Sequence, residues 1–92
     1  MDDFEWDQRK NAANIEKHRV SFETAARIFD GLTLETVDDR YVYGEPRIAA
    51  LGLVETTVLY VVYTMRGDTC RIISARKANR HERRAYSKLF PQ

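Results

Sequence analysis

The sequence predicts an α+β domain: an antiparallel β-sheet with two N-terminal helices and one C-terminal helix packed on it. Three observations point there. Near the start, Phe22, Ala25, Ala26 and Phe29 fall at i, i+3, i+4 and i+7, the spacing of one helix face. The middle turns to β-branched and aromatic residues broken by short turn signals such as "RGDT". The end returns to a helical pattern after "RIISARKAN". With 92 residues, 43% of them hydrophobic, one packed domain over 1–92 is expected.

Taken in order, Phe4 and Trp6 alternate with Glu5 and Asp7, which suits a short first strand. Asp7 is placed to cap a helix running from Gln8 to about Lys17. Ser21 caps a second helix, with Val20 as the apolar residue before the cap and Glu23 and Arg27 facing out; Gly31 closes it at the C′ position. "LTLETV" predicts a strand, "DDRYVYGEP" a loop, and "RIAALGLV", "TVLYVVYTM" and "TCRIISA" three more strands. Short connections favour a meander, although Glu55–Thr56 is a weaker turn pair than Gly67–Asp68. "VLYVVY" is apolar throughout, which places its strand centrally with both faces covered. Asn79 caps a final helix whose apolar stripe is Ala85, Tyr86, Leu89 and Phe90.

Composition narrows the function. The single Cys70 excludes an intrachain disulfide, and the acidic start "MDDFEWDQRK" is unlike a secretory leader. No apolar run approaches the roughly 20 residues of a membrane helix. A soluble, cytoplasmic protein with no membrane partner is expected. Net charge is only +1, yet residues 1–45 carry six Lys/Arg against eleven Asp/Glu while residues 66–88 carry eight against two. Such a split suits a polyanion partner for the basic end, or pairing of the two ends in a homodimer.

Cys70, His18 and His81 are scattered, so no metal ligand set is expected; there is no glycine-rich phosphate loop and no Ser-centred nucleophile motif, so no cofactor is expected either. Arginine chemistry remains. Strict alternation in "RIISAR" sends Arg71, Ile73 and Ala75 to one face and Ile72, Ser74 and Arg76 to the other, so without a bulge Arg71 and Arg76 cannot share a site. Each must find a carboxylate, a backbone carbonyl or a phosphate, and the many N-terminal carboxylates are the competing partners to a phosphate. On the last helix Arg80, Arg83, Arg84 and Lys88 form a basic row opposed only by Glu82, and Glu82 stands three residues after Asn79, where a carboxylate closes a capping box. Asn11, Asn14 and His18 make a polar stripe on a helix that must also pack, which solvation alone does not explain. A lone His at a helix end is commonly a carbonyl cap. Tyr86 lies in the apolar stripe, where its hydroxyl serves either the core or the rim of a site.

Phe4-Glu5-Trp6-Asp7, Lys17-His18, Phe22, Ala25–Ala26, Gly52, the run Arg71 to Ala78, and Glu82-Arg83 followed by Tyr86 together resemble the BrnT family of bacterial toxins over essentially the whole chain. The family commonly has Gly after the Lys-His pair and Thr at the last helix cap; here these are Arg19 and Asn79. The resemblance implies a RelE-like ribonuclease fold and toxicity through RNA cleavage. It also implies a BrnA-like ribbon-helix-helix antitoxin as partner, with operator DNA bound only through that antitoxin in an autorepressing complex.

On that reading the RNA's own 2′-hydroxyl attacks the neighbouring phosphate without a metal, and the protein orients atoms, stabilises charge and moves protons. The catalytic candidates are Arg76 and Arg83 for phosphate charge and His18 for proton transfer. Arg71, Lys77, Arg80, Arg84 and Tyr86 are the RNA-binding candidates. The competing reading is a non-catalytic basic module that binds a nucleic acid or an acidic protein. Exposed apolar residues around Leu32, Leu34 and Phe90 are candidates for antitoxin contact.

Overall fold

The computed structural model describes residues 3–38 and 44–92. In chain order these form β1 (Phe4–Glu5), α1 (Gln8–His18), α2 (Phe22–Ala26) continuing into a 3-10 turn (Arg27–Asp30), β2 (Thr33–Asp38), β3 (Arg47–Val54), β4 (Thr57–Arg66), β5 (Thr69–Lys77) and α3 (Arg80–Leu89). The predicted loop "DDRYVYGEP" lies largely outside the described residues, which resume at Gly44.

The strands make one sheet in the order β1-β5-β4-β3-β2. β2 to β5 form the antiparallel meander that the short turns predict. β1, however, lies parallel to β5, with Phe4 opposite Cys70 and Glu5 opposite Arg71, so the sheet is mixed and not purely antiparallel. A parallel pair joins segments distant in sequence, and no local turn signal announces it.

Two cores form because the sheet is covered on both faces. On one face Phe22, Ala25 and Ile28 pack fully buried with Ala50, Leu59, Val61, Cys70, Ile72 and Ala75. Burying side chains such as Phe22 and Ile28 contributes about 1.5–3 kcal/mol each. On the other face a smaller cluster of Leu51, Val58, Ala78 and Tyr86 lies under α3. β4 is the middle strand, and Val58, Leu59, Val61 and Val62 are all buried, as a strand apolar at every position requires. Gly52 lets the 3-10 turn approach β3 closely: a Cβ there would stand 2.5 Å from Ile28 Cβ.

Local signals explain the element ends. The Asp7 carboxylate accepts from the Arg9 and Lys10 N–H groups at 2.8 and 3.1 Å, and Ser21 Oγ accepts from Thr24 N–H at 3.0 Å. Hydrogen bonding, chiefly from Lys10 N–H, holds the Asp7 carboxyl below its ordinary pKa. Gly31 does not close the second helix in the left-handed region; it is extended at φ −128°, after the helix has tightened into its 3-10 turn. The stripe expected on α3 is only partly used. Tyr86 is buried and its hydroxyl donates to Leu32 C=O at 2.9 Å, whereas Ala85 is exposed and Leu89 is 56% exposed, because α3 meets the sheet mainly over β3.

Candidate active site

Strand β5 carries an irregularity that reassigns its faces. Val62 pairs with Ser74 while Tyr63 pairs with Ile72, so Ile73 is one residue too many. Strict alternation is thereby overturned: Cys70, Ile72 and Ala75 share the larger core, and Arg71, Ser74 and Arg76 all face the other way. The two arginines still do not meet. Their partners on β4, Thr64 and Tyr60, are four residues apart, about 13 Å along a strand. Arg71 donates to the Glu5 carboxylate at 2.6 Å and so ties β5 to β1.

The junction of β5 with α3 fixes Arg76. Asn79 and Glu82 form the predicted capping box, with the Asn79 side chain accepting from Glu82 N–H and the Glu82 carboxylate from Asn79 N–H, both at 2.8 Å. The same carboxylate takes two bonds from the Arg76 guanidinium, at 2.8 and 2.9 Å. The Arg76 hydrogen bonds hold the Glu82 carboxyl below its ordinary pKa, against the opposing effect of burial. Arg76 also lies over the Tyr60 ring, 4.1 Å from its centroid, and donates to Lys77 C=O at 3.2 Å. Its plane is thus set from two sides. Arg83 is anchored on the same turn, donating to Ala78 C=O at 3.0 Å.

Helix α1 supplies the remaining wall. Two members of its polar stripe are buried and structural. Asn11 accepts from Phe22 N–H at 2.9 Å and donates to Glu23 at 3.2 Å. Asn14 donates to Ala75 C=O at 2.7 Å and Val20 C=O at 2.8 Å and accepts from Ala75 N–H at 3.2 Å. The third member, His18, is brought by these bonds to the edge of β5. There His18, Tyr60, Val62, Ser74, Ala75 and Arg76 line an open cleft of about 260 Å³. His18, Arg76, Tyr60 and Ser74 thus share a cleft with Val62 and Ala75, a set suited to an anion whose charge changes during reaction.

Of the catalytic candidates, His18 and Arg76 meet at this cleft, whereas Arg83, within α3, is not among its lining residues and donates to Ala78 C=O. Lys77, Arg80 and Arg84 are exposed. Tyr86 is a core residue, committed to Leu32. Tyr60 and Ser74 escaped notice in the sequence; Tyr60 is hidden in a continuous apolar run, and alternation puts Ser74 on the face of Arg76 without marking it as a site residue. Leu32, Tyr86, Leu89 and Phe90 line a separate groove. Among the described residues no group of three or more His, Cys, Asp and Glu could hold a metal ion, and no helix is long and apolar enough to cross a membrane.

A search of curated proteins returns no match. A family model does match, over residues 6–82, and it describes the ribonuclease toxin BrnT of type II toxin-antitoxin systems. That stretch takes in α1 with His18, strands β2 to β5, and both partners of the Arg76–Glu82 pair. Because the match spans more than four-fifths of the chain, the protein belongs to the BrnT family of ribonuclease toxins.

Proposed function

We propose that the cleft between α1 and the end of β5 is the catalytic site of an endoribonuclease that cleaves RNA by internal transesterification. The observation that carries this reading is the convergence of His18, Arg76, Tyr60 and Ser74 on one cleft. A neutral His18 imidazole takes the proton of a 2′-hydroxyl, whose oxygen bonds to the adjacent phosphorus as the bond to the 5′-oxygen breaks. The products are a 2′,3′-cyclic phosphate and a 5′-hydroxyl, the latter protonated by solvent. Arg76, its plane set by Glu82 and Tyr60, and Arg83 stabilise the charge on the phosphate oxygens. Such cationic and hydrogen-bonding groups supply charge stabilisation without a metal. Lys77, Arg80 and Arg84 hold neighbouring phosphates. Arg71, tied to Glu5, and Tyr86, tied to Leu32, serve the scaffold.

The toxin acts in the cytoplasm on this reading, within a RelE-like family of folds, and is neutralised by a ribbon-helix-helix antitoxin. Operator binding belongs to the complex, so a gel shift with the operator should need both proteins. The nuclease test uses purified protein and a defined RNA in the presence of a chelator. Arg76→Lys and Arg83→Ala are expected to lower the cleavage rate by about 10²-fold or more while circular dichroism stays native. His18→Ala should flatten the acid limb of the pH–rate profile. Full cleavage by both arginine variants would remove the assignment. Salt-sensitive binding with no 2′,3′-cyclic phosphate would instead favour a non-catalytic binding module.

A further inference from the structure

A second polar cleft, of about 300 Å³, lies behind the first. Arg19, Arg27 and Lys77 line it together with the Thr24 and Thr57 side chains and the Glu55 carboxylate. Arg19 follows His18 at the end of α1, and Lys77 follows Arg76 on β5. On β4 the partner of Arg76 is Tyr60 and that of Lys77 is Leu59. Successive strand residues face opposite sides of a sheet, so the two clefts back onto one another across the end of the β4–β5 ladder.

Backbone conformation marks the same place. Among the described residues the non-glycine residues with positive φ are Arg19 at 62° and Glu55 at 56°, and both line this cleft. An L-residue in the left-handed region is strained by about 1–2 kcal/mol, and glycine is the unstrained choice there. The chain instead holds a charged side chain at each position, one of each sign. Three cations against one carboxylate leave the cleft a formal charge of +2. The Glu55–Arg27 ion pair inside it, at 3.7 Å, is largely exposed and correspondingly weak.

We infer that this cleft is a second phosphate subsite, in which Arg19 and Lys77 hold the RNA backbone beside the scissile phosphate while Glu55 competes with that phosphate for Arg27. Thr24 and Thr57 contribute hydroxyl donors. The identity of the ligand rests on the ribonuclease reading of the first cleft; anion binding rests on this cleft's own geometry.

The test measures binding of a 2′-O-methyl RNA strand of about eight nucleotides, which cannot be cleaved and is long enough to cross both clefts. Fluorescence anisotropy over a range of salt concentrations gives affinity and counterion release together. Arg19→Gly is expected to weaken binding about 3- to 10-fold and to lower the slope of log K against log salt by about 0.7. Glu55→Gly is expected to tighten binding, and Lys77→Ala to weaken it. Both glycine substitutions relieve strain, so general loosening of the fold cannot produce their opposite signs. Wild-type affinity and salt slope in Arg19→Gly and Lys77→Ala would overturn the subsite. If the variants behave as expected while wild-type protein cleaves no RNA, the subsite stands and the catalytic reading falls.

Discussion

Glu82 and Arg76 are joined by two parallel hydrogen bonds of 2.8 and 2.9 Å, and the carboxylate that makes them also closes the N-terminus of α3. One side chain therefore holds a helix start and a guanidinium of the cleft at once. Glu82→Gln should cost about 2 kcal/mol at neutral pH, lowering Tm by on the order of 10 °C. The sign with pH follows from the depressed carboxyl: its contribution is complete above the ordinary carboxylate value of 4.5 and is lost as pH falls through its lower folded value. Thermal melts from pH 7 to 3 should show the wild-type advantage over Glu82→Gln shrinking below about pH 4.5. A constant difference across that range would contradict the assignment.

Gly52 faces Ile28 so closely that no side chain fits. Gly52→Ala should destabilise the domain by about 1–3 kcal/mol, because the added Cβ would stand 2.5 Å from Ile28 Cβ. Shortening the neighbour offers no relief, since Ile28→Val keeps that same Cβ. Urea denaturation of the single and double variants checks both statements, and rescue by Ile28→Val would refute the second.

Asn14 satisfies three buried backbone groups from one carboxamide. Asn14→Leu, similar in volume, leaves all three without that partner and should cost at least about 3 kcal/mol. Hydrogen exchange gives a local readout: the Ala75 amide should lose protection in the variant before the amides of β3 and β4 do. Equal protection at Ala75 in both proteins would show that the bond contributes little.

Cys70 is fully buried, and burial, with a smaller effect from the Glu35 charge, pushes its thiol up to about 11. A thiol this protonated and enclosed reacts slowly. Ellman's reagent at pH 8 should therefore label native protein far more slowly than protein in denaturant. Rapid labelling of the native state would show that the core opens at β5.

How much of this the sequence reveals depends on distance along the chain. The Asn79–Glu82 box, the Ser21 and Asp7 caps and the central position of "VLYVVY" are legible because each is set by residues within a few positions. The asparagine stripe on α1 shows that Asn11 and Asn14 need partners, but their partners, Phe22 N–H and the Ala75 backbone, follow only from packing. The bulge at Ile73 is a matter of register against Val62 and Tyr63, invisible in a single strand. Without it Arg71 falls on the face opposite Ser74 and Arg76, and the core residues Ile72 and Ala75 fall on different faces. The α3 stripe misleads for a related reason. Periodicity shows which side of a helix is apolar, not how much of that side a sheet of limited width covers, and Leu89 is left outside.

The carboxamide of Asn14 offers Ala75 one donor and one acceptor, the same pair that a neighbouring peptide unit would present. It behaves as a strand one residue long. β1 occupies the border of the sheet at Cys70 and Arg71, and this plug occupies it again at Ala75. Another chain seeking to extend the ladder there meets hydrogen-bonding positions already filled. The border beside His18 is thereby closed as a template for aggregation.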